Sequence, residues 1–493
     1  MNSEIIKPSV RPGDFTPGRP VVFRGATVLT VDTQGVIENG DVLVIDQRIE
    51  AVGRQLAVPQ GTVEIDAHGG ILMPGMIDTH RHMFQTALRG IGADWTIAQY
   101  FRFTMMDWGH AFRPRDVYAG NLLAGVEAID AGVTTTLDWS HGLQTVEHAE
   151  AAVEALREVP GRFVLAYGNL LGNPGEWATA PEFRRFVERH FATRDDMLGL
   201  QLAIDVMGAD PGFPAKRAFE TARDLDVRVT THLGAFNGLP DNTKLLWDHG
   251  LMTPKTTYVH AASLPADSYH RIAATGGNVS VATESELNAG QGYPPTWLLR
   301  KHGIDVSLSM DTSIWWSSDL FSAMRATLSA DRAREHLEAR RRESFVEHNH
   351  LRAEDVVAWA TMGGARALGL DSVTGSITPG KKADLVLIKN DASPAMYPVI
   401  HPYGHVVFQA GRGDVHTVMV NGRIVKYDGT LTDKLLDTAR RASTETVEHF
   451  RNTMGEEAWR SVREPERPDA ARIPNPYASR GSGAEEATPA AGE

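Results

Sequence analysis

The middle of the chain alternates between short apolar runs and longer segments with a helical spacing of apolar residues. Runs rich in Val, Ile and Leu predict buried strands, and Val117–Ala131, Ala149–Val159 and Pro214–Leu225 predict helices between them. This alternation is typical of a parallel (β/α)8 barrel, with an open doubly wound sheet as the alternative. The predicted strands are Ile71–Ile77, Val133–Leu137, Arg162–Tyr167, Leu198–Ile204, Val227–Thr231, Thr256–Val259, Asn278–Ala282 and Ile304–Met310.

The two segments that flank the middle of the chain have a different residue pattern, in which short strand-like runs are separated by turn residues. One extends from Pro20 to about Gly70, and the other from about Gly375 to Leu431 and includes the run Val406–Phe408. The Asn-Gly pair at 421–422 lies between two apolar runs, which predicts a hairpin. We therefore expect both flanks to fold together into one small β-domain beside the barrel.

These patterns divide the chain into six predicted parts. Residues 1–19 are irregular, 20–73 form the first part of the β-domain, 74–374 the barrel and 375–432 the second part of the β-domain. Within the third part, Ala353–Gly369 predicts a helix that follows the barrel strands. Residues 433–463 form a helical segment, and 464–493, rich in Pro, Ala, Gly and Ser, form a disordered tail.

Composition narrows the functional classes. The 493 residues carry a net charge of −13, which argues against a general nucleic-acid binder, because phosphate contacts need clustered cations. Cysteine is absent, which excludes disulfides, thiolate metal sites and cysteine nucleophiles. Neither a secretory signal nor a membrane-length apolar run is visible. We expect a cytoplasmic protein that acts on a small molecule, without membrane or nucleic-acid partners.

Histidines and one aspartate follow several of the predicted strands. His80 and His82 are two residues apart, so that both side chains point to the same side of an extended strand. His232, His260 and Asp311 close three further strands, and barrel enzymes carry their sites at these strand ends. Imidazoles with a carboxylate suit a divalent ion such as Zn²⁺ or Fe²⁺. A second His-x-His pair, at 348–350, lies in a charged, helix-like stretch and is expected on the surface.

Three sequence segments resemble the amidohydrolase superfamily, in its triazine-hydrolase and cytosine-deaminase-like branch. They are Pro74-Gly-Met-Ile-Asp-Thr-His80-Arg-His82, Ala131-Gly-Val-Thr-Thr-Thr136 and Gly375-Ser-Ile-Thr-Pro-Gly-Lys-Lys-Ala-Asp-Leu-Val-Leu387. The resemblance covers roughly Val21 to Thr432 and implies a β-sandwich built from both flanks. It also implies that one metal ion, Zn²⁺ before Fe²⁺, is held by His80, His82, His232 and Asp311. Relatives of this kind are often dimers or larger, and by this analogy we expect a homo-oligomer.

The resemblance implies hydrolysis by an activated water molecule. Asp311 would accept the proton of that water, and His260 would contact the substrate or the water. Some members of the superfamily hold two metals with a lysine after the fourth strand, but Leu198–Asp205 contains no lysine, which favours one metal. Asp205 is the nearest other carboxylate and is either a polar strand end or a site residue.

One departure from the branch bears on the reaction. Its deaminases usually carry a glutamate three residues after the fifth-strand histidine, where this chain has Ala235, which cannot protonate a ring nitrogen. Glu284 and Glu286, after the seventh strand, are either a replacement acid or solvated loop charges.

The substrate pocket is expected to include polar and aromatic residues of the loops after the strands. The aromatic members, with Trp316, suggest a flat or apolar substrate. The candidates are Gln85, Trp108, His110, Trp139, His141, Glu284, Glu286 and Trp315.

We therefore expect a metal-dependent hydrolase that cleaves a C–N bond of an amide, urea, cyclic amide or amino-substituted heterocycle. The alternatives are hydrolytic displacement of another ring substituent and a barrel that binds a ligand without catalysis.

Overall fold

The computed structural model describes residues 11–16, 18–193, 197–206, 212–235, 241–262 and 264–466. The strands in this part of the chain are β1 (Val21–Leu29), β2 (Val36–Ile45), β3 (Arg48–Gly53), β4 (Val63–Asp66), β5 (Ile71–Pro74), β6 (Met76–Arg81), β7 (Val133–Ser140), β8 (Arg162–Tyr167), β9 (Leu198–Ala203), β10 (Arg228–Leu233), β11 (Thr256–His260), β12 (Asn278–Val281), β13 (Asp305–Leu308), β14 (Leu385–Ile388), β15 (Val415–Val420), β16 (Arg423–Tyr427) and β17 (Thr430–Leu431).

Strands β6 to β13 form the predicted parallel barrel. Each strand pairs in parallel with the next along the chain, and the interior positions are almost completely buried. The barrel closes where β6 ends. There the Asp311 amide donates to the His80 carbonyl at 3.0 Å, and the His82 amide donates to the Asp311 carbonyl at 2.7 Å. The seam of the barrel is therefore made by the residues expected to bind metal.

Helices fill most of the gaps between the barrel strands and cover the outside of the barrel. Many begin with Pro in the first turn or with a capping side chain, such as Asp319, whose carboxylate accepts from the Ser322 amide at 2.8 Å. The described helices are Pro12–Asp14, Met83–Leu88, Ile97–Tyr100, Phe101–Asp107, Gly109–Ala111, Pro114–Asp130, Val146–Glu158, Pro174–Trp177, Pro181–Phe191, Ala215–Asp224, Asn242–Asp248, Ala266–Thr275, Thr283–Ala289, Thr296–Lys301, Leu320–Arg341, Ala353–Ala358, Trp359–Gly363, Gly364–Leu368, Pro394–Met396, Pro402–Phe408, Arg412–Asp414, Leu435–Met454 and Glu456–Arg463.

The remaining strands form a separate mixed sheet from both flanks of the barrel. Its order is β17-β16-β15-β14-β5-β1-β2-β3, with β4 alongside β1, so that the N-terminal and C-terminal segments meet between β5 and β14. The fold is thus a (β/α)8 barrel with a small β-domain shared between the flanks. The exact domain boundaries stay a prediction.

The predicted strand Ile71–Ile77 is two strands in the structure. Its first part, β5, belongs to the mixed sheet, and its second part, β6, opens the barrel, with Gly75 between them. A Cβ atom on Gly75 would lie 2.0 Å from the Thr134 hydroxyl oxygen. Glycine therefore lets the chain pass close to the start of β7 as it crosses from one sheet to the other.

The predicted strand at 406–408 is wrong, because these residues end the helix Pro402–Phe408. Proline begins this helix, and the His401 ring accepts a hydrogen bond from the Gly404 amide at 2.9 Å. The Arg325 side chain donates to the Val407 carbonyl at 3.0 Å, which ties this helix to Leu320–Arg341. Short apolar runs have no periodicity that separates helix from strand, and here capping decided.

The region after the mixed sheet is helical. Leu435–Met454 packs across Pro114–Asp130, where the Thr446 hydroxyl donates to Asp116 at 2.8 Å. Ala353–Gly369 is helical as expected, with a π-helical turn in its middle. Most of the predicted irregular N-terminus and of the predicted tail lies outside the described residues. No helix in the described part of the chain has the length and apolar character needed to span a membrane.

Candidate active site

Three imidazoles and one carboxylate converge at the end of the barrel where the parallel strands finish. His80 lies on β6 and His82 directly follows it, His232 lies on β10, and Asp311 follows β13. The His80 Nε2 atom is 3.3 Å from the His232 Nε2 atom. The Asp311 Oδ1 atom is 3.4 Å from the Nε2 atoms of both His80 and His82.

This spacing fits one divalent ion. Zn–N bonds of 2.0–2.1 Å in a tetrahedral site place neighbouring ligand atoms about 3.4 Å apart. The three distances given above agree with that value, and the donor atoms form two close groups that share His80, one with His82 and Asp311 and one with His232 and His260. The donor set of imidazole and carboxylate, without any thiolate, also suits a divalent transition metal.

The electrostatics of the cluster favour the protonation states that a metal requires. Burial lowers the pKa of His82 to about 4 and that of His80 well below its usual value, so that both rings are neutral. Burial acts to raise the pKa of Asp311, but the contacts with the surrounding histidines, first of all the hydrogen bond to His80, outweigh it, and this pKa lies well below its usual value. Neutral imidazoles and an ionised carboxylate are the ligating forms.

His260 and Asp311 both have left-handed backbone conformations, with φ of 70° and 59°. Such angles cost free energy for residues with a Cβ, and they persist where the surrounding fold imposes them. They turn the chain sharply at the ends of β11 and β13, at the same end of the barrel as the cluster. The His260 ring lies 5.6 Å from the His232 ring and nearly parallel to it.

Glu286 lies behind His260, on the helix Thr283–Ala289. Its side chain is fully buried, its Oε1 atom is 3.5 Å from the His260 Nδ1 atom, and it accepts from the Ala282 amide at 2.9 Å. Burial raises the pKa of Glu286, against the lowering effect of His260. Glu286 is therefore not a solvated loop charge. Glu284 is partly buried, accepts from the Ser317 hydroxyl at 3.0 Å, and does not line the cavity over the cluster.

A partly open cavity lies over the cluster. The polar groups on its walls are His82, His232, His260 and Asp311 together with His141, Asp205, Asp241, Asn242 and Gln291. Much of the rest is apolar, and Ala235 lies on the wall where a relative's glutamate is expected. The apolar and aromatic lining includes Ile97, Tyr100, Phe101, Leu170, Leu264 and Trp315.

The predicted pocket residues fall into two groups. His141 and Trp315 line the cavity: His141 stacks on His82 with ring centroids 4.2 Å apart, and Trp315 packs on Tyr100. Gln85 and Trp139 lie behind the lining. The Gln85 amide donates to the Tyr100 hydroxyl at 2.7 Å, and the Trp139 ring is 4.0 Å from the His232 ring.

Trp108 and His110 are not brought to the cavity. Trp108 is buried against Trp95 and Phe103 in the insertion between β6 and the helix Pro114–Asp130, and His110 is exposed on the same insertion. The expected wall of several tryptophans is thus made instead by one tryptophan and by other apolar residues. His348 and His350 are exposed, as expected.

Several residues of the site were missed in the sequence. Tyr100 and Phe101 come from the same insertion as Trp108, and no periodicity there shows which side chains face the cavity. Gln291 approaches the His260 Nε2 atom at 3.5 Å. Asp205 was not missed: the sequence left it open as a polar strand end or a site residue, and in the structure it accepts from the His232 Nδ1 atom at 2.8 Å, after β9, the strand beside β10.

Comparison with known proteins agrees with this architecture. The model of the Amidohydrolase family matches residues 71–425, which include all the barrel strands and, in the β-domain, β5, β14, β15 and part of β16. The chain belongs to the amidohydrolase family. It is accordingly a hydrolase of carbon–nitrogen bonds other than peptide bonds, with a site for a divalent metal ion.

Two similar proteins of this family are deaminases. A 5-methylthioadenosine/S-adenosylhomocysteine deaminase of Symbiobacterium thermophilum is 30% identical over 428 residues, which cover 83% of this chain and 94% of the relative. A 5'-deoxyadenosine deaminase of Methanothermobacter thermautotrophicus is 28% identical over 409 residues, covering 80% of this chain and 91% of the relative.

Solved structures share the fold. An atrazine chlorohydrolase from Arthrobacter aurescens in complex with zinc has a TM-score of 0.72 at 21% identity, covering 87% of this chain and 100% of that chain. An adenosine deaminase from Xanthomonas campestris with bound zinc has a TM-score of 0.73 at 23% identity, covering 88% of this chain and 100% of that chain.

Proposed function

We propose that this protein is a zinc-dependent hydrolase with one metal ion that removes ammonia or an amine from an amino-substituted heteroaromatic ring. The observation that carries the proposal is the convergence of His80, His82, His232 and Asp311, whose contacts through His80 and Asp311 measure 3.3–3.4 Å, at the floor of a cavity with largely apolar walls. The adenine-type substrates in the names of the similar deaminases support a flat, nitrogen-rich ring.

In this proposal each residue of the site has a separate role in the reaction. His80, His82, His232 and Asp311 would hold a divalent ion, which when bound would supply Lewis-acid chemistry and lower the pKa of a water molecule so that hydroxide is available at neutral pH. Asp311 is ionised and accepts a proton of the attacking water. The cavity walls at Tyr100 and Trp315 hold the ring and exclude bulk water. His260 donates a hydrogen bond to the ring atom or leaving group that gains negative charge.

Proton delivery needs a donor other than a glutamate at position 235. His260 lines the cavity, and the Glu286 carboxylate lies behind its Nδ1 atom. A carboxylate in that position stabilises the protonated ring, which can then donate from Nε2 to the departing nitrogen. His260 with Glu286 behind it thus takes over the task that Ala235 cannot perform.

A second candidate reaction is hydrolytic displacement of another ring substituent, such as a halide or an alkoxy group. Ala235 favours it, because a departing anion needs less protonation than a departing amine. Both reactions use the same water and the same carboxylate, and they differ in the leaving group.

The test is a substrate panel on the zinc-loaded protein. The panel contains 5'-substituted adenosines, amino-triazines and the matching chloro- and methoxy-triazines, with ammonia, amine, halide and methanol measured separately. We expect ammonia or amine release that is lost in Asp311→Asn. Halide or methanol release alone would favour the second reaction, and no turnover of any ring would contradict both.

Further proposals concern the substrate type, the assembly and the cellular location of the enzyme. We propose a small-molecule substrate, a homo-oligomeric assembly and a cytoplasmic location, without membrane or nucleic-acid partners. Light scattering on the purified protein tests the assembly, and fractionation of the source cells tests the location.

A further inference from the structure

Asp205 lies beside His232 because of the register of two neighbouring barrel strands. Strands β9 and β10 pair in parallel with Ala203 opposite Thr230, and the Ile204 amide donates to the Thr230 carbonyl at 3.0 Å. The same register, continued by two residues, brings the side chains after β9 next to those at the end of β10. The Asp205 Oδ1 atom is 2.8 Å from the His232 Nδ1 atom.

This hydrogen bond decides which nitrogen of His232 faces the cluster. A carboxylate only accepts, so the His232 Nδ1 atom carries the proton and donates it. The lone pair is then on Nε2, the atom that lies 3.3 Å from the His80 Nε2 atom. A carboxylate acceptor also makes the imidazole a more basic ligand than a neutral acceptor would.

His232 needs such a tether more than the other two imidazoles. The side chains of His80 and His82 are 0% and 3% exposed, and dense packing holds their rings. His82 also donates from Nδ1 to the Trp139 carbonyl at 3.1 Å. The His232 side chain is 21% exposed on the cavity wall, with Trp139 against one face of its ring. Rotation of this ring would remove its donor atom from the cluster.

We propose that Asp205 is a positioning residue for the metal centre, which holds His232 in the tautomer and orientation that bind the ion. The inference deepens the proposed function, because it rests on the same metal site. It is independent of the substrate, since it concerns retention of the ion and not the reaction.

The experiment measures zinc affinity in the absence of any substrate. The Zn²⁺ dissociation constants of the full-length protein, Asp205→Asn and Asp205→Ala are determined by competition with a chromophoric chelator. We expect Asp205→Ala to bind zinc about 10- to 100-fold more weakly, as is typical when such a carboxylate is lost. Asp205→Asn keeps an acceptor oxygen without the charge, and we expect an intermediate loss.

Glu150 provides a matched control. Its carboxylate contacts the His190 Nε2 atom at 2.5 Å, between two helices outside the barrel and away from the cluster. Glu150→Gln removes the charge from a carboxylate–histidine pair of the same kind. We expect it to bind zinc as tightly as the unaltered protein.

Thermal unfolding of the metal-free proteins separates positioning from a general structural role. We expect the metal-free Asp205→Asn protein to unfold at the unaltered temperature while its zinc affinity falls. Unchanged zinc affinity in the asparagine variant would overturn the proposal, as would a loss no larger than that of Glu150→Gln. If Asp205→Ala does not fold, the isosteric asparagine variant decides. Tight zinc binding without turnover of any ring would overturn only the proposed function.

Discussion

The two glutamates after β12 offer the sharpest test of the proton path, because they are two residues apart and differ in what they touch. Glu286 is fully buried with its Oε1 atom 3.5 Å from the His260 Nδ1 atom, whereas Glu284 contacts Ser317. Glu286→Gln keeps the side-chain shape and the oxygen that accepts from the Ala282 amide, and removes only the charge. Glu284→Gln is the matched control on the same helix.

The magnitude follows from the distance. Two unit charges 3.5 Å apart at an effective dielectric constant of about 20 interact with about 5 kcal/mol. This is an upper bound on what Glu286 contributes to a protonated His260, and it corresponds to about 3.5 decades in rate. The gap exceeds an ideal hydrogen bond and the ring is not fully charged throughout the reaction, so we expect kcat of Glu286→Gln to fall about 100-fold.

The assay is steady-state hydrolysis by zinc-loaded protein of whichever ring is the best substrate of the panel. We expect the loss in kcat with KM nearly unchanged, because Glu286 acts through His260 and does not line the cavity. Glu284→Gln is expected within about threefold of the unaltered protein, as for a side chain without a part in proton transfer. Turnover by Glu286→Gln at the unaltered rate, or equal losses in both variants, would refute the reasoning.

Three further predictions concern the metal cluster and the cavity wall. His80→Ala and Asp311→Ala are each expected to abolish turnover with an unchanged circular dichroism spectrum, and near-normal rates in either would show that the cluster is misplaced. Ala235→Glu is expected to raise the ratio of amine to halide or alkoxide release, since it supplies a carboxyl group on the cavity wall; an unchanged ratio would count against our account of the missing acid. Burial lowers the pKa of His82 to about 4 in the folded protein, whereas in the unfolded chain this pKa is about 6.5. Between about pH 6.5 and 4 the unfolded state therefore binds a proton that the folded state does not, which favours unfolding. Urea unfolding of the metal-free protein should therefore show stability falling from pH 6.5 to 4, with a flatter profile in His82→Gln.

The residues of the cluster could be picked out from the sequence, because the ends of the predicted strands can be located in it. Each predicted ligand follows a short apolar run, and the parallel strands of a barrel end at one face. Asp205 obeys the same rule, and its pairing with His232 needed only the register of β9 and β10. Whether such a residue binds metal, orients a ligand or contacts substrate depends on ångström distances that spacing does not contain.

The cavity wall could not be predicted, because an apolar side chain suits a core and a pocket equally well. Trp108 and Tyr100 lie on the same insertion, yet Trp108 packs into the core while Tyr100 faces the cavity. For charged residues, too, the sequence does not show which side chain is buried, as Glu284 and Glu286 illustrate. Only the start of the helix Thr283–Ala289 turns Glu286 inward and leaves Glu284 beside Ser317.

The order of apolar and polar residues by itself indicated the barrel and the shared β-domain and put the candidate ligands at strand ends, because burial periodicity and strand ends are local properties of a chain; the ligand set came from the family resemblance and stays a prediction. Tertiary structure alone decided the crossing at Gly75, the helix at 402–408 and the partners of His232 and His260. Those features depend on contacts between residues distant in the sequence, where close packing selects one neighbour among many of similar chemistry.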